Sequence, residues 1–332
     1  MKLLQIENSS TLPKYKQIVL SVEMAIADQR LFRNDKLPSV NKISLEFGIS
    51  RDTVLLAYEE LKKRGIVYAI PGKGYYVKSV EFSFEQRIFV LFDELNAFKE
   101  ELYNSFLKAM DNRAQIDIYF HHFNIEMFKK LINESNGNYS KYIIMPTNLK
   151  GTIPYIKGLP RQDVYILDQT NPELKDYPSV HQNFVTDIYN ALSKGISLLK
   201  KYEKLYLIYP GHKEPFGMVE GFQIFCKEFD FEHQIISDFT NEEIKKGSVF
   251  IIPNDEHLVN VIIQAKKQQL LLGTDFGIIS YNDTSLKKVV ENGITTISTD
   301  FKTMGQTLAE MVVNNKKEQL ENPSQLILRK SL

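Results

Sequence analysis

Amides and carboxylates recur at one kind of place in this chain, directly after short apolar runs. Asp93, Glu94 and Asn96 follow RIFVLF, Thr147 and Asn148 follow YIIMP, and Asp168 closes VYILD. Gly211 and His212 follow LYLIYP, Asn254 and Asp255 follow VFIIP, and Asn282 and Asp283 follow GIISY. Such side chains make several directed hydrogen bonds to hydroxyl groups, whereas a phosphate or carboxylate ligand calls for Arg, Lys or a Gly-rich helix start. The set points to a neutral polyol, and Phe92, Phe98 and Tyr281, near the same ends, offer apolar faces for a sugar ring. The same residue types also serve as N-caps of a following helix, which is the alternative role at each position. His121, His122 and His212 have no spacing that builds a metal site or a catalytic triad.

A second set of polar groups sits in SRDTVLLAYEELKKRG, residues 50–65. Its spacing predicts a helix capped by Ser50, with Arg51, Asp52 and Thr53 facing solvent and Val54, Ala57, Tyr58 and Leu61 buried. Arg51 can fork onto guanine or clamp a phosphate, Thr53 can bond a phosphate or a thymine edge, and Asp52 can accept from cytosine or orient Arg51.

Two kinds of element must hold these groups. Tyr15, Ile18, Val19, Val22 and Ile26 predict an amphipathic helix over Lys14 to Gln29. LPSVNKISLEFG adds a short helix that Ser39 caps after Pro38, that turns Ile43 and Phe47 inward, and that Gly48 ends. Only GIS separates it from the polar-tipped helix, which is the helix-turn-helix spacing. IVYAIPGKGYYV then reads as a hairpin turning at Pro71 to Gly74, a wing with Lys73 at its tip. From Arg87 onward, apolar runs alternate with amphipathic stretches, as in parallel βαβ folds, whose ligands bind beyond the carboxyl ends of the strands. Phe98, Leu102, Phe106 and Met110, and again Phe222, Phe225, Cys226 and Phe229, form apolar helix faces that belong to cores. VEFSFEQ, residues 80–86, is expected to be the linker.

The 332 residues, 43% of them hydrophobic, suffice for two or three domains. Neither a membrane span nor the apolar run of a secretory signal is visible, which predicts a cytoplasmic protein. Cys226 is the one cysteine, so neither an intrachain disulfide nor a cysteine-based metal site can form. Net charge is zero, yet the first eighty residues hold thirteen Lys and Arg against eight Asp and Glu, leaving 28 against 33 for the rest. The positive excess therefore surrounds the polar-tipped helix, as nucleic-acid binding requires.

LPSVNKISLEFGISRDTVLLAYEELKKRGIVYAIPGKGYYV resembles the winged-helix domain of the GntR family, over about residues 10–78. The resemblance implies DNA-contacting positions at Ser39, Arg51, Thr53 and Gly74, with Asn41, Lys42, Ser50, Asp52 and Lys73 beside them. Asn41 stands where the family usually has Arg, and Tyr75 where a small hydroxyl residue is common, so the operator is expected to differ from the family's usual one.

Residues 87–332 resemble the LacI/GalR type of sugar-sensing domain, akin to type I periplasmic binding proteins, through VLFDELNAF, VFIIPNDEHLVNVI, FGIISYNDTSL, ITTISTD and SQLILRKSL. That resemblance implies a small sugar between two subdomains joined by three crossovers. Asp93, Asn96, Phe98 and Asp168 would line it from one side, and Asn254 and Asn282 from the other. Met218 stands where MVEGF usually begins with a sugar-binding Arg. This suggests a less polar ligand, a pentose or deoxyhexose such as arabinose or fucose, with His212 or Lys213 substituting.

The expected fold is α/β: a winged helix-turn-helix over 1–79, a linker over 80–86, and two doubly wound subdomains over 87–332. Subdomain one takes 87–182 and 299–318, and subdomain two takes 183–298 and 319–332. The expected function is a dimeric, sugar-controlled regulator of sugar-utilisation genes, a repressor in the manner of arabinose repressors, which binds operator DNA and needs no cofactor or metal. An enzyme fused to a DNA-binding head is the main alternative; an aminotransferase-like domain would need more than these roughly 250 residues, and no phosphate-binding loop is visible. A transport-type binding protein does not fit the basic head.

Overall fold

The computed structural model describes residues 3–7, 12–79, 86–111, 113–211, 213–240 and 243–332. The head comprises α1 (Lys14–Ala27), α2 (Val40–Phe47), α3 (Arg51–Lys63), β1 (Val67–Ile70) and β2 (Gly74–Val77). Ser39 accepts a hydrogen bond from the Lys42 amide and Ser50 one from the Thr53 amide, so both expected N-caps are in place. Gly48, at φ 64°, ends α2 in the left-handed conformation. α1 stops at Ala27 rather than Gln29, because Gln29 itself turns left-handed and the Arg30 amide bonds back to the Ala25 carbonyl at 2.7 Å. Ile18, Val22, Ile43, Val54, Ala57, Tyr58 and Leu61 meet in one core. The Tyr58 hydroxyl donates to the Pro38 carbonyl at 2.6 Å, tying α3 to the chain leading into α2. β1 and β2 form the antiparallel wing, on which Tyr75 packs against Tyr58 with ring centroids 4.7 Å apart.

Two α/β subdomains follow. The first contributes β3 (Gln86–Phe92), α4 (Ala97–Met110), β4 (Ala114–Phe120), α5 (Ile125–Ser135), β5 (Lys141–Ile144), α6 (Ile153–Lys157), β6 (Val164–Asp168) and β7 (Ser179–His181). The chain then crosses to the second: α7 (Phe184–Lys194), α8 (Ile196–Leu199), β8 (Lys204–Ile208), α9 (Gly217–Glu228), β9 (Glu232–Ile236), β10 (Ser248–Ile252), α10 (Asp255–Lys267), β11 (Phe276–Tyr281) and β12 (Thr295–Thr299). It returns for α11 (Phe301–Val313) and β13 (Gln319–Glu321), and crosses a third time to β14 (Ser324–Ile327). The sheets run β13-β7-β6-β5-β3-β4 and β14-β12-β11-β10-β8-β9, parallel except where β14 runs antiparallel to β12. Strands β6, β10, β11 and β12 are buried along their whole length, as strands covered by helices on both faces must be.

Three expected boundaries move, the first at Thr299, which ends β12 opposite Ser324 and so belongs to subdomain two. Gln86 begins β3, so it is sheet rather than linker, and residues 80–85 lie outside the described residues. Residues 319–321 belong to subdomain one, because β13 pairs with β7, and the third crossover falls at Asn322 and Pro323. The helices pack closely on each subdomain. A Cβ at Gly305 of α11 would collide with the backbone of α4 at Leu102 and Phe106, and one at Gly221 of α9 would collide with the Val185 backbone in α7.

Candidate functional site

Between the subdomains lies a cleft of about 400 Å³, the size of a small-molecule site. It is lined from strand ends and helix starts of both sheets, and Asp93, Asn96, Phe98, Asp168, Asn254 and Asn282 all reach it. His212 lies outside the described residues.

Each of these residues has a definite local job. Asn96 caps α4 by accepting from the Lys99 amide, and Asn254 caps α10 by accepting from the Glu256 amide at 2.7 Å, so capping and lining the cleft coincide. Asp93, 2% exposed, forms an ion pair with Lys99, itself 5% exposed. Asp168 ends β6 with a left-handed backbone, φ 70°, and its carboxylate accepts from the Gln182 amide at 2.5 Å. Burial pushes the Asp168 carboxyl above the usual carboxylate range, Lys99 pulls it back and Asp93 adds to the rise. Asn282 ends β11 in the same left-handed way, φ 63°, and its side-chain oxygen is buried without a hydrogen-bond partner. The Tyr281 hydroxyl is also buried and unpartnered, and burial raises it well above an ordinary phenol, with Asp187 and Asp168 adding to the rise.

The cleft has members whose position their sequence types do not announce. Gln182 accepts from Thr299 at 2.9 Å while donating to Asp168, so one side chain joins two crossovers to the cleft wall. Asn322 of the third crossover bonds the carbonyls of His181 and Asp300, at 2.7 and 3.1 Å. Lys213 reaches across the mouth to Glu94 at 2.5 Å and stands over the Phe123 ring, and Asn148 donates to the Glu214 carbonyl at 2.9 Å. Lys287, 3% exposed, donates to the Tyr281 and Asn282 carbonyls and pairs with Asp255. Burial lowers Lys287 and Asp255 opposes that shift.

Some expected positions fall elsewhere. Phe92 is buried in the core beneath β3 and presents no face to the cleft. Asp283 turns away to hold Arg329 at 2.6 and 2.9 Å. Phe98 stacks on Phe301 at 4.8 Å and lines the cleft, as do Tyr281 and Met218. His121 is buried and bonded to the Met145 carbonyl, and burial lowers it. Among the described residues there is no cluster of His, Cys, Asp and Glu that could hold a metal, and no helix long and apolar enough to cross a membrane.

On the head, Ser39, Asn41, Lys42, Ser50, Arg51, Asp52 and Lys73 are exposed, and Thr53 and Gly74 half-buried. Gly74 adopts φ 109°, and Lys73 sits beyond the ends of the two wing strands. The Ser50 and Thr53 hydroxyls lie 2.8 Å apart at the start of α3. Lys62 pairs with Glu59 on the outer turn of α3.

Residues 14–77 match the family model described as bacterial regulatory proteins, gntR family, and residues 233–332 match that of a periplasmic binding protein-like domain. The arabinose metabolism transcriptional repressor of Geobacillus stearothermophilus is 37% identical over 67 residues, 20% of this chain and 18% of the relative. The mannosyl-D-glycerate transport/metabolism system repressor of Escherichia coli (strain K12) is 32% identical over 107 residues, 32% of this chain and 41% of the relative. These and six further curated relatives are matched over only 13% to 58% of their lengths. A solved structure of the lac repressor bound to ONPG superposes with a TM-score of 0.64, at 16% identity, covering 85% of this chain and 90% of that one. The chain thus joins a winged helix of GntR type to an α/β domain with the fold of the lac repressor and the periplasmic binding proteins.

Proposed function

We propose that this chain is a sugar-responsive transcription regulator, most simply a repressor of sugar-utilisation genes. The observation that carries the reading is the hydrogen-bonded path from the cleft to the crossovers. A ligand that takes the free lone pairs of Asp168 acts on a carboxylate already bonded to Gln182, which in turn holds Thr299. Ligand binding and the relative orientation of the subdomains are then one equilibrium, and operator affinity is coupled to it reciprocally, at a typical strength of about 1–3 kcal/mol. The ligand is a monosaccharide-sized polyol, of which a pentose or deoxyhexose is one form. Phosphorylated sugars fit poorly, because Lys99, Lys213 and Lys287 are already engaged by Asp93, Glu94 and Asp255.

The head supplies Arg51, Thr53 and Asn41 to the major groove and Lys73 to the flanking backbone or minor groove. Two copies pair, so that two recognition helices read a palindromic operator. Subdomain two leaves Val259, Ile263, Leu271, Leu286 and Val289 exposed, apolar surface that such pairing would cover.

The test is to select operator duplexes from a randomised pool with the full chain, then to follow fluorescence anisotropy of the selected duplex against pentoses, hexoses, deoxyhexoses, amino sugars and the sugar phosphates. One unphosphorylated sugar releasing the duplex is the expected result. No enrichment of any duplex refutes the DNA-binding role, and a duplex that no sugar affects refutes the effector role.

A further inference from the structure

Resting on the sugar-sensor reading, we infer that the preferred effector carries an ammonium group beside its hydroxyls: an amino sugar rather than a neutral one. Six carboxylates line the cleft, Asp93, Glu94, Asp168, Glu214, Asp255 and Glu256, against three ammonium groups and no arginine. Each lysine is consumed, Lys99 by Asp93, Lys213 by Glu94 and Lys287 by Asp255, which leaves Asp168, Glu214 and Glu256 without an ion-pair partner among the described residues. Of the four helix starts at the cleft, those of α4, α7 and α10 are capped by Asn96, Asn183 and Asn254, Asp255 and Glu256 fill the first turn of α10, and α9 carries Glu220 in its first turn.

A second observation points the same way. The Asn282 side-chain oxygen is buried without a donor, and the Tyr281 hydroxyl, on a residue 2% exposed, is buried without any partner. Asp168 accepts from the Gln182 side chain at 2.5 Å and from the Gln169 side chain, which still leaves carboxylate lone pairs for a ligand. The six carboxylates thus outnumber the three ammonium groups that share the walls, and the charge the cleft lacks is positive. An ammonium brings three donors, no acceptor and the missing positive charge, whereas a hydroxyl brings one donor and its own lone pairs. Asp168, with the nearby Asn282 and Tyr281, is where that group would seat.

The experiment uses the full chain and matched triplets of hexosamine, hexose and hexose 6-phosphate in the gluco, galacto and manno configurations, with affinities from titration calorimetry at pH 7. The expected result is one amine binding at least tenfold more tightly than its neutral partner, with its phosphate not binding. Asp168→Asn should then weaken the amine at least tenfold, with circular dichroism showing the variant folded, and Glu214→Gln serves as the second charge variant if it is not. A neutral hexose that binds as tightly as its amine, or a phosphate that binds best, overturns the ammonium assignment and leaves the sugar-sensor reading standing. An amine preference that survives both variants overturns the assignment to these carboxylates. Failure of all nine compounds overturns the amino-sugar assignment, while the sugar-sensor reading is decided separately by release of the selected duplex.

Discussion

Replacing Lys99 by methionine isolates the electrostatics of the cleft floor. Lys99 and Asp93 are 5% and 2% exposed, so Lys99→Met removes the cation from a pair that water barely reaches. It also removes the ammonium that holds down the raised carboxyl of Asp168. Breaking a buried ion pair from one side costs about 3–5 kcal/mol, because the remaining charge is stranded. Asp93 keeps the Glu94 amide bond at 2.6 Å. The expected loss is therefore at the low end, about 3 kcal/mol. With a urea dependence of about 3 kcal/mol/M for a domain of this size, the unfolding midpoint falls by about 1 M. The chain has no tryptophan, so far-ultraviolet circular dichroism is the suitable signal. The double variant Asp93→Asn with Lys99→Met, which removes both charges, should recover most of the loss. A single variant within about 0.2 M of the parent, on that scale, or a double variant no better than the single, would show that the pair does not carry this energy.

Three further outcomes are expected. Arg51→Ala should lower affinity for the selected duplex at least tenfold while leaving sugar affinity unchanged; anisotropy and calorimetry on one preparation decide it. Asp187 is buried with an unpartnered carboxylate oxygen, and burial, reinforced by Glu321, pushes it up to about 7. Its folded form holds the proton more tightly than its unfolded form, so ionisation weakens the fold increasingly as pH rises from about 4 to 7. Asp187→Asn should therefore raise the melting temperature fully above pH 7, with a gain that fades as pH falls toward 4; an equal gain at pH 5 and pH 8 refutes this. Gly305→Ala forces α11 off α4 and should destabilise by about 1–3 kcal/mol in urea unfolding, whereas a neutral effect would show that the two helices part freely.

The head was legible almost residue by residue, because its signals are local. Ser39, Gly48 and Ser50 set the boundaries of α2 and α3, and the apolar spacing of α3 picks out the four residues it buries. The central strands of both sheets were equally plain, since burial on two faces demands unbroken apolar runs. Strands β7, β9 and β13 were not, and each has a physical reason. SVH and QLE are three residues long and owe their pairing to partners far along the chain, while EHQII is an edge strand whose first half faces water. In the cleft, the ends of strands pointed to nine lining residues, Glu94, Asp255 and Tyr281 among them. They could not reveal Lys99, which reads as an ordinary helix-surface charge, nor Gln182, whose two bonds go to residues 14 and 117 positions away.

The three crossovers have a consequence for anyone who would take this pair of α/β subdomains apart. A cord that passes three times between two bodies can be cut once, or twice, and still hold them together. A single protease nick at any one crossing should leave the halves associated, and only fragment analysis under denaturing conditions would expose it. Nor can either half be expressed as one uninterrupted stretch: a piece spanning 183–299 lacks the edge strand β14, and one spanning 86–182 lacks α11 and β13. Making a lone half from this protein would require joining its separate segments through new linkers.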